Sequence, residues 1–327
     1  MAHKSDNGHR VMLNAKMLRS ILTSCFLMLV GLSVAVSAFA RQRYVKDTFS
    51  DFITTADGVK IHYIEEQPRI DGGPMDRSSI LKMEAPSILF VPGWTMPAWI
   101  WQKQIDYFST YHRVVAMDPR SQGESTMTGE GLYPAARARD IKAVVDQLHL
   151  APVVLVGWSM AVTELAAYVD QFGTNGIAGL VFVDDNFGGL APGEGQSDLL
   201  FVNQILKDRQ KNAEAFVHEL CFKKPQPTDY LNRVVAACMR TPTSDAVALL
   251  VGKFAADYRS AAAKIDKPAL FCYADSAYMP ASAQQAMQQS VKGSQLEVFH
   301  GDGHALFVDD ADHFNSVLEN FLNSVQK

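Results

Sequence analysis

The stretch VVLVGWSMAVTELAAY, residues 153–168, joins a short apolar run to a helical pattern. Four aliphatic residues lead into Gly157-Trp158-Ser159-Met160-Ala161, and an almost wholly apolar helical segment follows. This pattern predicts a buried strand over 153–156, a sharp turn at Ser159 and a buried helix over 159–172. A serine at such a turn is a candidate nucleophile, and the alternative is a serine that merely caps the helix.

Working outward from this stretch, apolar runs of strand length alternate with helical segments. The predicted strands are 87–91, 113–117, 153–156, 179–183, 269–273 and 296–300, and the predicted helices are 97–109, 132–149, 159–172, 280–291 and a final helix that ends the chain. Unbroken apolar strands that alternate with helices predict an α/β fold, with a mostly parallel, doubly wound sheet covered on both faces. An antiparallel hairpin over 50–65, with Asp57-Gly58 at its turn, is expected to precede this sheet.

The alternation stops once, between residues 187 and 265. A linker, FGGLAPG (187–193), is followed there by about 70 residues of mostly helical pattern. We therefore expect a helical cap over 187–265, inserted late in the sheet, and a core formed by 41–186 and 266–327. Sites in such folds lie at the carboxyl ends of the strands, so the cap would cover the site.

The residues that carry chemistry follow the predicted strands. A serine hydroxyl needs a neighbouring base, and that base needs a carboxylate to orient it. Ser159 is therefore predicted to be the nucleophile, His304 the base and Asp275 the orienting acid. Asp184 and Asp185 follow the strand before the cap and remain alternative acids.

This order of serine, acid and histidine, with its strand-turn-helix elbow, resembles the α/β-hydrolase superfamily over roughly residues 48–327. The segment VPGWTMPAWIWQKQIDYFSTYHRVVAMDPRSQGES (91–125) is similar to the family's His-Gly-x…Trp…Asp-x-Arg-Gly-x-Gly-x-Ser block. The resemblance points to the bacterial esterase and cofactor-free haloperoxidase-like branch. Pro92 stands where the family usually has His, and Ser121 and Ala161 stand where it usually has Gly.

The resemblance implies a site and a reaction. The backbone N–H groups of Trp94 and Met160 would form the oxyanion hole, and Trp94 lies in the loop that contains the departure at Pro92. The implied enzyme is a serine hydrolase that cleaves a small-molecule carboxylic ester, with a small or medium, largely apolar acyl group, through an acyl-enzyme. Neither a cofactor nor a metal is implied. The alternatives are C–C or amide hydrolysis or perhydrolase (haloperoxidase) chemistry on the same triad, and a ligand-binding protein without turnover.

The N-terminus reads as a secretory signal peptide over residues 1–40. Lys16 and Arg19 precede the apolar run FLMLVGLSVAV (26–36), and a small-residue exit predicts cleavage after Ala40. Met12 or Met17 is an alternative start, and an uncleaved membrane anchor is the alternative fate. The expected location is therefore periplasmic or secreted, with no membrane contact after cleavage.

The net charge bears on possible binding partners, and the cysteine content bears on possible disulfides. The chain carries a net charge of −5, and removal of residues 1–40 takes away four basic residues and one acidic residue, which leaves −8. This balance, without a basic cluster, argues against nucleic acid as a partner. Cys221 and Cys238 are the expected pair if a disulfide forms, and the absence of any disulfide is an equal alternative; Cys272 is expected to be a free core thiol. The oligomeric state is not readable from these features.

Overall fold

An eight-stranded sheet forms the centre of the fold in this computed structural model, which describes residues 47–67, 69–70, 73–74, 85–189, 194–275 and 279–325. The strands are β1 (Asp47–Thr54), β2 (Lys60–Gln67), β3 (Arg69–Ile70), β4 (Gly73–Pro74), β5 (Ser87–Val91), β6 (Val114–Met117), β7 (Val153–Trp158), β8 (Ile177–Val183), β9 (Ala269–Ala274) and β10 (Gln295–Phe299). The sheet has the order β1-β2-β6-β5-β7-β8-β9-β10, and β3 and β4 form a separate pair. Strands β6 to β10 and β5 run parallel, whereas β1 and β2 are antiparallel to their neighbours.

Helices cover both faces of the sheet. They are α1 (Gln102–Phe108), α2 (Pro134–Gln147), α3 (Met160–Phe172), α4 (Glu194–Lys207), α5 (Arg209–Ala215), α6 (Thr228–Arg240), α7 (Thr243–Phe254), α8 (Ala281–Ser290), α9 (Leu306–Asp309) and α10 (Ala311–Val325). Short 3₁₀ turns occupy Ala98–Trp101 and Arg259–Lys264, and a π turn occupies Phe216–Cys221. The predicted α/β fold, with its mostly parallel sheet, is confirmed.

The two faces of the sheet have separate cores because side chains alternate along each strand. In β5, Leu89 and Val91 pack with helices α2 and α3 on one face, whereas Ile88 and Phe90 pack with α1 and α10 on the other. All four of these side chains are fully buried, which explains why the strand reads as an unbroken apolar run. A strand with one solvated face would have shown alternating polar residues instead.

The helices α4 to α7 all lie between β8 and β9 in the chain, where the cap is expected. They carry a third, smaller core that includes Val202, Ile205 and Leu249 and that also contains Trp94 and Met160. The cap helices therefore pack directly on the segments that follow β5 and β7. This contact places the helical layer above the carboxyl ends of the central strands.

Three cysteines in the described residues, Cys221, Cys238 and Cys272, are buried and free, so a disulfide between Cys221 and Cys238 is not formed. Burial raises the pKa of the Cys238 thiol to about 11.

The predicted signal peptide (1–40) lies outside the described residues. Among those residues no individual helix has the length and hydropathy of a membrane span; α6 and α7, bent by 84° at their junction, reach that threshold only when taken together.

Candidate active site

Ser159 lies between β7 and α3 in a strained turn. Its backbone has φ 56° and ψ −125°, a conformation that costs a non-glycine residue on the order of 1–3 kcal/mol. The turn is close-packed, because a Cβ at Gly157 would lie 2.8 Å from Leu165 Cδ1 and 3.0 Å from the carbonyl oxygen of Ala161. Ala161 itself is fully buried, so its extra methyl group is accommodated in the packing of α3.

The Ser159 hydroxyl is hydrogen-bonded to His304, which is in turn hydrogen-bonded to Asp184. The distance from Ser159 Oγ to His304 Nε2 is 2.8 Å, and the distance from His304 Nδ1 to Asp184 Oδ2 is 2.7 Å. Asp184 is fully buried, and its other oxygen accepts a hydrogen bond from the Ala274 N–H at 3.0 Å. His304 is held through its backbone, because its carbonyl accepts from Trp158 Nε1 and its N–H donates to Leu220. The three side chains have the connectivity of a serine-histidine-acid triad.

The expectation that Asp275 orients His304 is wrong in this geometry. Asp275 accepts hydrogen bonds from the Gly301 N–H at 2.9 Å and from His300 Nδ1 at 3.2 Å, and its side chain is 40% exposed. These bonds, the backbone one first, lower the pKa of its carboxyl. Asp275 follows β9, whereas Asp184 follows β8, which is the direct neighbour of the strand that carries Ser159. The acid that contacts His304 therefore comes from the nearer strand and is Asp184, one of the two alternatives that the sequence leaves open.

The other alternative acid, Asp185, forms an ion pair with Lys253 of the cap. Both of its carboxylate oxygens lie 3.0 Å from Lys253 Nζ on α7, and one of them also accepts the Asn186 N–H. Asp185 and Lys253 are both nearly buried, at 1% and 11% exposure of their side chains. A buried ion pair is favourable only when its geometry is good, because both charges have lost their hydration. This pair connects α7 with the end of β8.

The loop after β5 approaches Ser159 closely. A Cβ at Gly93 would lie 2.8 Å from Ser159 Cβ and 3.4 Å from Ser159 Oγ, so only glycine fits there without displacement. The next residue, Trp94, and the residue after the serine, Met160, have backbone N–H groups with no protein acceptor among the described residues. The first N–H groups of a helix are unpaired by construction, and Met160 is the first residue of α3. These two donors are the pair expected for an oxyanion hole.

A cavity of about 490 Å³ opens onto Ser159 and His304 beneath the cap. Its apolar lining comes from both core and cap and consists of Trp94, Met160, Phe201, Phe216, Leu220, Leu250, Phe254 and Met279. Its polar lining consists of Asp185, Asn186, Ser197, Asp198 and Lys253. This volume is within the range of small-molecule sites. The described residues contain no group of three or more His, Cys, Asp or Glu side chains placed to hold a metal.

Asp118 and Arg120 follow β6. They have structural roles, and each bonds to its own partners. Asp118 accepts hydrogen bonds from His62 Nδ1 at 2.7 Å and from the Glu124 N–H at 2.9 Å. Arg120 makes two bonds of 2.6 Å to Asp140 of α2. Together these contacts fasten the loop after β6 to the hairpin and to α2.

Sequence reasoning missed the partly buried Lys253 and three fully buried polar residues near the site, Gln122, Arg137 and Glu164. Lys253 was indistinguishable from the other charged residues of the cap pattern. Arg137 and Glu164 are 1% and 0% exposed in their side chains, although each occurs in a helix where a charged residue is expected to face water. The available signal was Glu164 itself, a charged residue within the stretch 160–169, which is otherwise almost wholly apolar.

Comparisons with known proteins agree with this architecture. A family model described as "Alpha/beta hydrolase family" matches residues 88–315. A putative non-heme chloroperoxidase from Synechocystis sp. is 26% identical over 260 residues, which cover 72% of this chain and 90% of that protein. A bifunctional esterase/perhydrolase from Acinetobacter calcoaceticus is 33% identical over 180 residues, which cover 52% of this chain and 58% of that protein.

Among solved structures, an esterase from Exiguobacterium antarcticum superimposes with a TM-score of 0.72 at 21% identity, and the match covers 84% of this chain and 100% of that one. At 21% identity, this similarity shows a shared fold alone. The match of the family model, over more than half of the chain, together with the strand order and the strained turn at Ser159, identifies the chain as a member of the alpha/beta hydrolase family.

Proposed function

We propose that this protein is a serine hydrolase that cleaves carboxylic esters through an acyl-enzyme. The observation that carries the proposal is the chain of two hydrogen bonds, 2.8 and 2.7 Å long, from Ser159 through His304 to Asp184. Ser159 is the nucleophile, His304 takes its proton and later returns it to the leaving alcohol, and Asp184 holds His304 in the required tautomer. An ionised carboxylate at Nδ1 also stabilises the imidazolium that forms during attack.

The N–H groups of Trp94 and Met160 receive the oxyanion of the tetrahedral intermediate. Both are fixed by their backbone, one in the Gly93–Met96 turn and one at the start of α3, so they need no reorganisation when charge develops. Such preorganised donors commonly contribute about 10²–10³ in turnover each. Gly93 supports this role because its missing side chain lets the turn approach Ser159.

The cavity suggests the kind of ester. Its volume of about 490 Å³ suits a small or medium substrate, and its aromatic and aliphatic wall suits an apolar acyl or aryl group. Esters of short and medium chain length and aryl esters are the substrates to try first.

Labelling of the active serine tests the proposal directly. A fluorophosphonate probe should label the folded wild-type protein at Ser159, as identified by peptide mass spectrometry, and the same protein should hydrolyse p-nitrophenyl esters. Ser159→Ala should lose both properties while keeping its thermal stability. A Ser159→Ala protein that hydrolyses the esters at the wild-type rate would exclude this mechanism.

A second activity is suggested by the relative that is named a bifunctional esterase/perhydrolase. If hydrogen peroxide replaces water in the deacylation of Ser159, the product is a peracid instead of a carboxylic acid, and the peracid can oxidise halides. The atoms balance without a metal or a cofactor. Peracid formation from an ester and peroxide, lost in Ser159→Ala, would demonstrate it.

We also propose that the protein is exported. The basic start, the apolar run over 26–36 and the small residues before Ala40 support removal of residues 1–40. N-terminal sequencing of the protein recovered from the periplasm or the medium tests this proposal. A mature protein that begins at Arg41 is expected, and retention of residues 26–36 in a membrane fraction would favour the anchor instead.

A further inference from the structure

Gln122 joins the two ends of the turn that carries the Trp94 N–H. Its side chain is fully buried in the loop after β6. The amide nitrogen Nε2 donates to the carbonyl oxygens of Gly93 and Met96, each at 2.9 Å. A 3.2 Å hydrogen bond from the Met96 N–H to the Gly93 carbonyl closes the same turn. One side-chain amide therefore fixes the carbonyl groups at both ends of the turn that contains Trp94.

This turn needs support because it is not relaxed. Thr95 has φ 57°, a left-handed conformation that a β-branched residue adopts only under constraint. Without the two bonds from Gln122, a change of a few tens of degrees within the turn would redirect the Trp94 N–H away from Ser159. Displacement of a catalytic group by about 1 Å can cost 10²-fold in rate.

The other end of the Gln122 amide is held by Arg137. Arg137, on α2, donates from its Nη1 to Gln122 Oε1 at 2.8 Å. Because a guanidinium only donates, it requires the amide oxygen on its own side and so turns the NH₂ group toward the two carbonyls. Arg137 thus selects the orientation of Gln122 that can donate to the turn.

Arg137 is in turn fixed to the helix that carries the nucleophile. Its Nε lies 2.8 Å from Glu164 Oε1 on α3, and its Nη1 lies 3.8 Å from the sulfur of Met160. Helix α3 begins at Met160, directly after Ser159. A continuous path of polar contacts therefore runs from the nucleophile helix, through α2, to the Gly93–Met96 turn.

A gain in stability does not by itself explain why Arg137 and Glu164 are buried together. Burial raises the pKa of Glu164 to about 7 and lowers the pKa of Arg137, so the pair is costly to desolvate. Apolar residues of similar volume often replace a buried ion pair without loss of stability. What apolar residues could not supply is the donor that orients Gln122.

We propose that Gln122 is a positioning residue of the oxyanion hole, oriented by Arg137, and that it holds the Trp94 N–H against Ser159. This inference rests on the proposed function, since it assigns a role within that reaction. Gln122 does not line the cavity, so it acts through the turn and not on the substrate.

The test compares Gln122→Met with a matched control, Gln104→Met, in the full chain. Gln104 is also a fully buried glutamine, and its Nε2 donates to the Phe307 carbonyl at 2.8 Å and to Asn315 Oδ1 at 3.1 Å, with no hydrogen bond to the Gly93–Met96 turn. Each methionine keeps the length of the side chain and removes its donors. The measurements are kcat and KM for a p-nitrophenyl ester and the inhibition constant of a trifluoromethyl ketone, which forms a tetrahedral adduct with the serine.

Gln122→Met should lower kcat by about 10- to 100-fold, below the loss of a whole oxyanion donor. Its KM should change by less than about threefold, because ground-state binding does not use the oxyanion hole. The trifluoromethyl ketone should bind more weakly by a factor similar to the loss in kcat. Gln104→Met should lose thermal stability but keep its turnover and its affinity for the ketone.

A second variant covers the case in which Gln122→Met does not fold. Gln122→Glu keeps an acceptor for Arg137 and removes both donors to the carbonyls, so it should show the same combined loss. Wild-type values of kcat and ketone affinity in a folded Gln122 variant, or an equal loss in Gln104→Met, would overturn the inference and leave the proposed function intact. A wild-type protein that neither hydrolyses esters nor binds the ketone would instead overturn both.

Discussion

Asp184 Oδ2 lies 2.7 Å from His304 Nδ1, although 120 residues separate the two in the chain. Asp184 has φ 53° and follows β8 directly, and its other oxygen is occupied by the N–H of Ala274 in the neighbouring strand. The carboxylate is therefore fixed on both sides, with one oxygen left to meet the histidine. His304 reaches it from the loop after β10, across the end of β9.

This relationship predicts that Asp184→Asn will lower kcat far more than Asp275→Asn. An asparagine at 184 presents an amide that stabilises the wrong tautomer of His304, and the same acid-to-asparagine change in a serine-protease triad costs about 10⁴ in kcat with the geometry intact. Asp275 is exposed and bonds to His300 and Gly301, so its replacement should change kcat by less than about twofold. Steady-state kinetics on p-nitrophenyl esters measure both. Equal losses in the two variants would mean that the exposed carboxylate takes part in the reaction.

The turn after β5 lies close to Ser159, and this contact predicts that a side chain at Gly93 will lower kcat. In Gly93→Ala the new methyl group would lie 2.8 Å from Ser159 Cβ, so either the turn or the serine must move. We expect kcat to fall by at least about 10²-fold, since oxyanion donor and nucleophile are displaced relative to each other. Gly129→Ala is the control, because no atom lies within 4 Å of its added Cβ; unlike Gly93, Gly129 has a left-handed backbone (φ 68°), so the added methyl group strains the chain there. That control should lose about 1 kcal/mol of stability and keep its activity; similar activity in the two variants would contradict the close contact.

The central strands could be predicted from the sequence because they are buried on both faces. The run 87–91 was predicted as a strand and is β5 to the residue, and 153–156 is the start of β7. The edge strand β10 is partly exposed, and its predicted bounds are shifted by one residue. Unbroken burial gives a strong pattern, whereas a half-exposed edge gives a weak one.

The orienting acid could not be chosen from the sequence for a topological reason. Asp184 and Asp275 each follow a predicted strand of the same sheet, and local sequence does not state which strand lies beside β7. The strand order places β8 there and β9 one position further out. The pair of Arg137 and Glu164 could not be predicted because a periodicity argument assigns charged helical residues to solvent. Gln122 lies in the loop after β6, where no periodicity indicates which side chains are buried.

The two bonds from Arg120 to Asp140 predict a loss of stability at a site away from the cavity. Both side chains are nearly fully buried, and each bond is 2.6 Å long. Asp140→Asn removes the closer and more buried of the two carboxylates that pair with the guanidinium, the other being the exposed Asp57 at 3.0 Å, and breaking a buried pair in this way typically costs about 3 kcal/mol. Asp146→Asn, in the exposed pair with Lys142 on the same helix, should cost less than about 0.5 kcal/mol. Urea unfolding measures both, and a similar change in the two variants would show that burial of Arg120 does not matter.

The buried carboxyl of Glu164 predicts how stability depends on pH. Burial, opposed by the charge of Arg137, raises the pKa of Glu164 from 4.5 to about 7 in the folded protein. The folded state therefore holds a proton that the unfolded state releases between these values. The stabilisation from this proton is complete below pH 4.5 and is lost as the pH rises through about 7, by at most about 3 kcal/mol.

Glu164→Gln removes this titration while keeping the size and shape of the side chain beside Arg137. The free energy of unfolding of the wild type, minus that of Glu164→Gln, should therefore fall between pH 4.5 and 7 and level off above that range. Urea unfolding of both proteins at intervals of half a pH unit gives this difference directly, and other titrating groups cancel in it. A difference that stays constant across the range, or that rises with pH, would show that Glu164 is ionised in the folded protein throughout and that Arg137 outweighs the cost of its burial.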